Sequence, residues 1–195
     1  MSIEREQVHL DSRAQWRAWL AEHHASSPGA WVVTWKKHSG GPHVPYEDVV
    51  EEALAYGWID SLGRRLDSDR SQLLLAPRKP RSGWSRPNKV RVERLTTAGL
   101  MTPAGVAAID RAKADGSWVA LDDVEQLIEP PDLQAAIDAA PGARAHWDGF
   151  PRSVRRGILE WISTAKQDET RLRRITETAD RAAQGERAHQ WRSRA

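Results

Sequence analysis

Apolar residues recur at helical spacing between Asp11 and His24, where Trp16, Trp19, Leu20 and His23 share one face. Ser12 followed by Gln15 makes a capping box at the start of that helix. Over residues 30–36 the period changes to two: Trp31, Val33 and Trp35 alternate with Val32, Thr34 and Lys36, which predicts a strand. The loop HSGGPHVP follows. Helical spacing returns over residues 46–58, carried by Tyr46, Val49, Val50, Ala53, Leu54 and Trp58, with Glu47, Asp48, Glu51 and Glu52 in the early turns that favour acids. Asp60 then falls just past the helix end, where the dipole disfavours a carboxylate, so Arg64, Arg65 or Arg78 is expected to answer it.

Residues 64–68 and 71–76 predict a hairpin around DSDR. Ser85 caps a helix expected to run to about Ala98, with Gly99 as its stop. Thr102-Pro103 opens another that ends near Gly116. A short acidic helix over residues 121–128 precedes the Pro130-Pro131 break, and helices are expected over 132–139, 151–166 and 168–184 before a frayed tail, GERAHQWRSRA. These elements predict an α+β protein: a small, mostly antiparallel sheet packed by helices, followed by a helical C-terminal domain. The expected boundary separates residues 1–129 from 130–195.

Composition narrows the chemistry. Among 195 residues there is no cysteine, which removes disulfides, thiolate nucleophiles and Cys-ligated metals. His23-His24, His38 and His43 match no zinc spacing, so neither a metal nor another cofactor is expected. Ser163-Thr164-Ala165-Lys166 fits S-x-x-K, but the motif falls late in an amphipathic helix and lacks its companion motifs. No phosphate-binding glycine loop is present, and no nucleophile, base and orienting group come together. The charged N-terminus lacks the apolar core of a signal peptide, and no apolar run approaches membrane-spanning length; a cytoplasmic protein without membrane insertion is expected. Ten tryptophans against one phenylalanine and two tyrosines point first to a Trp-built core and second to a ligand platform.

A net charge of +2 makes no case for nucleic acid, but its distribution is uneven. Residues 78–94 and 152–174 are basic, and residues 122–138 are acidic. The stretch APRKPRSGWSRPNK, residues 76–89, sets five cations around Trp84. Three readings stay open for it: a solvated connector, a nucleic-acid arm, or an anion pocket in which Arg78, Lys89 and the helix start after Ser85 hold a carboxylate or phosphate.

Several stretches together resemble the YdeI/OmpD-associated, or bacteriocin-protection, family: WVVTWKK (31–37), YEDVVEEALAYGWIDS (46–61), PRKPRSGWSRPNKVRVERL (77–95), GLMTPAG (99–105) and PRSVRRGILEWISTAKQDETRLRRI (151–175). The similarity runs over about residues 12–185. It implies protection against antimicrobial peptides or an association with an outer-membrane porin, the latter at odds with the missing export signal, together with a small helical domain near residues 130–188, and it brings no catalytic mechanism. The resemblance places the polar motif positions on Trp58, Asp60, Arg78, Ser82, Trp84, Ser85, Asn88 and Lys89, with a second cluster at Lys166, Glu169, Thr170 and Arg171. The expected function is a non-catalytic protein that binds a small molecule or peptide in an anion-accepting pocket lined by Trp and Arg. The alternatives are nucleic-acid binding through the two basic segments, or an enzyme with Asp60 as acid or base.

Overall fold

The structure is a computed structural model and describes residues 5–189. Its contacts divide the chain after Ala120. The N-terminal unit runs β1 (Glu6–His9), α1 (Arg13–His23), β2 (Ala30–Trp35), α2 (Tyr46–Ala55), β3 (Trp58–Arg65), β4 (Arg70–Pro77), α3 (Arg86–Thr97) and α4 (Pro103–Ala114). The strands form one sheet in the order β1-β2-β4-β3; β1 and β2 are parallel, and the other two pairings are antiparallel. The α+β class and the mostly antiparallel sheet are as the sequence predicts.

Strand alternation decides which face is buried. Val8, Ala30, Val32 and Leu75 point to the helical side and pack with Trp16 and Leu20 of α1, Val49 and Ala53 of α2, and Trp58. Trp31 and Trp35 lie on the opposite face, beneath the guanidinium groups of Arg64 and Arg70 at 4.1 and 5.6 Å from the ring centres. A second core lies on the far side of α2, where Val50 and Leu54 meet Trp84, Val92, Leu95 and Ile109.

Being packed on both sides, α2 buries even Glu51 and Glu52. Buried carboxylates need paired cations. Glu52 takes Arg13 and Arg17 from α1 at 2.6 and 2.7 Å, while Glu51 pairs with Arg13 and Arg94. Four of the tryptophans, Trp16, Trp58, Trp84 and Trp147, are fully buried, in line with the Trp-built core.

Three local expectations are corrected. The helix expected over 46–58 ends at Ala55, because Gly57 adopts φ +75° and its N–H closes onto the Leu54 carbonyl; Trp58 and Asp60 therefore belong to β3. The hairpin strands are longer than expected, and a register shift lies between Asp60 and Gly63. Gln15 does cap α1, but its side chain accepts from the N–H of Asp11, while Ser12 accepts from the N–H of Gln15.

The C-terminal unit holds α5 (Asp122–Gln126), α6 (Pro131–Ala139), α7 (Ala143–Gly149), α8 (Arg152–Ser163) and α9 (Asp168–Ala183). Its core gathers Leu133, Ile137, Trp147, Ile158, Ile162 and Ile175. Leu121 and Val124 join that core, and the contact division falls ahead of α5. Within the expected frayed tail, Ala188 is buried and the His189 ring stacks on Trp161 at 4.7 Å. The rest of that tail lies outside the described residues.

Candidate functional site

The residues nominated from the sequence fall into separate settings. Trp58 starts β3 deep in the first core, 1% exposed, with its indole N–H donated to the His24 carbonyl at 3.1 Å. It is a packing residue. Asp60, next along the strand on the same face, is half-buried and accepts the Tyr46 hydroxyl at 2.8 Å. The expected direct arginine partner is thus replaced by a phenol from the first turn of α2. Arg78 and Arg91 act on Asp60 only at longer range, and its charge favours their protonated forms.

Arg78 is 9% exposed and lies flat over Trp84, 3.7 Å from the ring centre. Its Nη1 donates to the Ser82 hydroxyl and the Gly83 carbonyl at 3.3 and 3.4 Å, whereas among the described residues Nε and Nη2 have no hydrogen-bond partner. Burial pulls this guanidinium down to about 10, against the opposing influence of Asp60. The space beside it, bounded also by Arg81, Arg111 and Asp115, is about 20 Å³. That is room for a single water and not for a phosphate or carboxylate ligand.

Ser85 occupies the N-cap position of α3 without a side-chain capping bond. Asn88 is buried and accepts from Arg91 at 2.8 Å, and the Lys89 ammonium sits 5.4 Å from the Trp118 ring centre. Arg78, Ser82 and Trp84 therefore stand together, and Asp60 faces a different space.

That space is a cleft of about 690 Å³. It is lined by residues of β2, β3, β4 and α2 and of the loop after β2. The floor is apolar: Val32, Val44, Val49 and Leu73. The rim is polar and mostly cationic, with Asp60 and Tyr46 at one end and Lys36, Lys37 and His43 along the loop. Gly41 lets the loop close, since a Cβ there would lie 2.4 Å from the Trp35 ring. His43 Nδ1 meets the Trp35 carbonyl at 2.7 Å. Lys36 donates to the carbonyls of Asp67 and Ser68 at 2.8 and 2.7 Å, which ties the loop to the hairpin turn. Burial, together with the bond to Asp60, pushes the Tyr46 hydroxyl up to about 12, so it remains a donor at neutral pH.

Trp35, Lys36, Lys37, His43, Tyr46 and Gly63 were not among the nominated residues. They come from three elements and match no motif; the only signal was a Gly/Pro-rich basic loop between a strand and a helix.

Several arginines of the basic segments are paired within the fold. Arg91 grips Glu47 with two bonds of 3.0 and 2.8 Å, and Arg94 reaches Glu47 and Glu51. In the C-terminal unit Arg156 pairs with Glu125 and Glu160, while Arg174 donates to the Trp161 carbonyl. Of the second nominated cluster, Lys166 and Glu169 are exposed and Thr170 is half-buried. Arg171 clamps Asp132 of α6 through bonds of 2.7 and 2.9 Å.

The Arg171 hydrogen bond holds Asp132 below the ordinary carboxylate value of 3.8. A depressed folded-state value means the stabilisation is present above the unfolded value and is lost as pH falls through the folded one. Arg171→Ala is therefore expected to lower the thermal midpoint of the C-terminal unit at neutral pH and to flatten its decline below about pH 4. Thermal melts at successive pH values, compared with the wild-type chain, check this.

Two family models match the chain. One, a domain of unknown function (DUF8412), covers residues 8–108; the other, described as bacteriocin-protection, YdeI or OmpD-associated, covers residues 126–185. No curated protein and no solved structure matches the chain significantly. Among the described residues no helix is long and apolar enough to cross a membrane, and no group of three or more His, Asp or Glu side chains is placed to hold a metal ion.

Proposed function

We propose that this chain, which belongs to the DUF8412 family through its N-terminal unit and to the bacteriocin-protection, YdeI or OmpD-associated family through its helical unit, is a non-catalytic binding protein. Its ligand is a small molecule or short peptide, and its role is intracellular protection against antimicrobial or related stress. The observation that carries this reading is the cleft of about 690 Å³, whose apolar floor and few polar groups have the size and make-up of a ligand site. An anion-accepting character of the pocket is supported by Lys36 and Lys37 on its rim rather than by Arg78 and Trp84.

A binding role accords with the Tyr46–Asp60 pair. Tyr46 is held neutral as a hydrogen-bond donor to Asp60, which makes its phenol a fixed contact in the cleft. Nucleic-acid binding has less support, because Arg91, Arg94, Arg156 and Arg171 in the two basic segments are already paired with carboxylates.

An aromatic anion such as 8-anilinonaphthalene-1-sulfonate is expected to shift the amide resonances of Thr34, Tyr46, Gly63 and Leu73 in a two-dimensional NMR titration. Shifts confined to residues 78–89 would move the site to the Arg78–Trp84 pair, and no saturable shift anywhere would defeat the binding reading.

A further inference from the structure

We propose that the cleft takes a dipolar, elongated ligand, with a protonated amine at Asp60, an anionic group at Lys36 and Lys37, and an apolar segment between them. This rests on the reading of the cleft as the binding site. The simplest molecule with that layout is a short apolar peptide with free termini.

The amine end follows from the bonding of Asp60. Tyr46 occupies Oδ2, and among the described residues Oδ1 has no hydrogen-bond partner. A half-buried carboxylate oxygen facing an apolar floor discriminates strongly in favour of a charged donor. Asp60 is also the only carboxylate on the cleft lining among the described residues.

The anionic end follows from the loop. Lys37 has no hydrogen bond or ion pair among the described residues, although it lines the cleft and is exposed. The Lys36 ammonium carries three donors, of which two are spent on the carbonyls of Asp67 and Ser68, leaving one N–H and the full charge. His43 Nδ1 faces a carbonyl, which can only accept, so Nδ1 carries the proton and Nε2 of the neutral ring is an acceptor, which leaves the anionic end to the two lysines.

The separation of the ends follows from the register. Asp60 pairs with Leu75 and thereby aligns with Ala30, while Lys36 directly follows Trp35, which pairs with Arg70. Those levels are five strand positions apart, roughly 17 Å between backbones at about 3.3 Å per residue. Side chains reaching inward from both ends shorten the gap toward the roughly 10 Å span of an extended three-residue peptide. Val32, Val44, Val49 and Leu73 line the interval and suit apolar side chains.

The test is calorimetric titration of the full chain with three probes: trileucine with free termini, N-acetyl-trileucine and trileucine amide. Free trileucine is expected to bind, and each blocked form to bind about tenfold more weakly. Asp60→Asn keeps the side-chain shape and an acceptor for Tyr46. It is expected to weaken free trileucine to the level of the acetylated form while leaving the acetylated form unchanged. Lys37→Ala is expected to do the same with respect to the amide. Equal binding of free and acetylated peptide, or an Asp60→Asn variant that still prefers the free amine, overturns the proposal. If trileucine does not bind while the aromatic sulfonate still maps to the cleft, the dipolar ligand is wrong and the binding reading stands. If neither probe reaches the cleft, the binding reading falls as well.

Discussion

Gly105→Ala is expected to destabilise the N-terminal unit by about 2–4 kcal/mol, because α4 approaches α2 so closely that no side chain fits between them. A Cβ at this position would lie 2.2 Å from the Ala55 carbonyl oxygen and 2.8 Å from its carbon. Both of those atoms are backbone, so relief requires the helices to move apart. The same oxygen accepts the N–H of Thr102 at 3.1 Å and its hydroxyl at 2.6 Å. Separation would therefore loosen the end of α2 as well as the cap of α4, and losing a cap alone costs about 1 kcal/mol. Urea unfolding followed by tryptophan fluorescence measures the loss. Gly157→Ala in α8 is the matched control. Nothing lies within 4 Å of a Cβ there, so the change is expected to be neutral or to stabilise by about 0.5–1 kcal/mol.

The second large effect is on binding. Gly63 lies on the sheet face that floors the cleft, paired with Leu73, and a Cβ there would make only an ordinary 3.7 Å contact with Leu73 Cδ1. Its backbone does not require glycine, since it is not among the positive-φ positions. Gly63→Phe can thus place a ring into the cleft without straining the fold, and strands favour aromatic residues over glycine. Binding of a cleft ligand is expected to fall by at least about tenfold, or about 1.4 kcal/mol, with the thermal midpoint unchanged or raised. This separates loss of space from loss of structure, which truncation of a core residue such as Val49 would not.

The legible and illegible parts of this protein differ in how far apart the deciding residues lie. Amphipathic spacing and local caps mark α1, α3, α4, α8 and α9, since each is decided by neighbours three and four positions away. The boundary between α2 and β3 was misplaced because the apolar spacing continues through Trp58, and the left-handed Gly57 that ends the helix is only one glycine in an otherwise helical pattern. β1 is four residues, EQVH, and exists through parallel pairing with β2 across α1, which no local signal shows. α7 is seven residues bounded by the left-handed Gly142 and by Phe150, shorter than a period search resolves.

At the site, the sequence motifs drew attention to Arg78 and Trp84, and these do come together, one flat over the other. They leave almost no room beside them. The roomy cleft owes its shape to where β2, β4, β3 and the loop over residues 36–45 converge, and its residues are individually ordinary: Thr34, Val44, Gly63, Ser71. Asp60 is the one nominated residue that lines it. It was singled out for the right chemistry, a carboxylate needing a partner, but in the wrong setting, since it stands on a strand rather than past a helix end.

This cleft, and not the Arg78–Trp84 pair, is the proposed ligand site. The most direct measurement is a parallel fluorescence titration of the wild-type chain, Gly63→Phe and Arg78→Ala with 8-anilinonaphthalene-1-sulfonate, each protein first shown by its melt to be folded. The expected result is saturable binding by the wild type and by Arg78→Ala, with binding by Gly63→Phe weakened about tenfold or more. Undiminished binding by Gly63→Phe, with binding abolished in a folded Arg78→Ala, would contradict it.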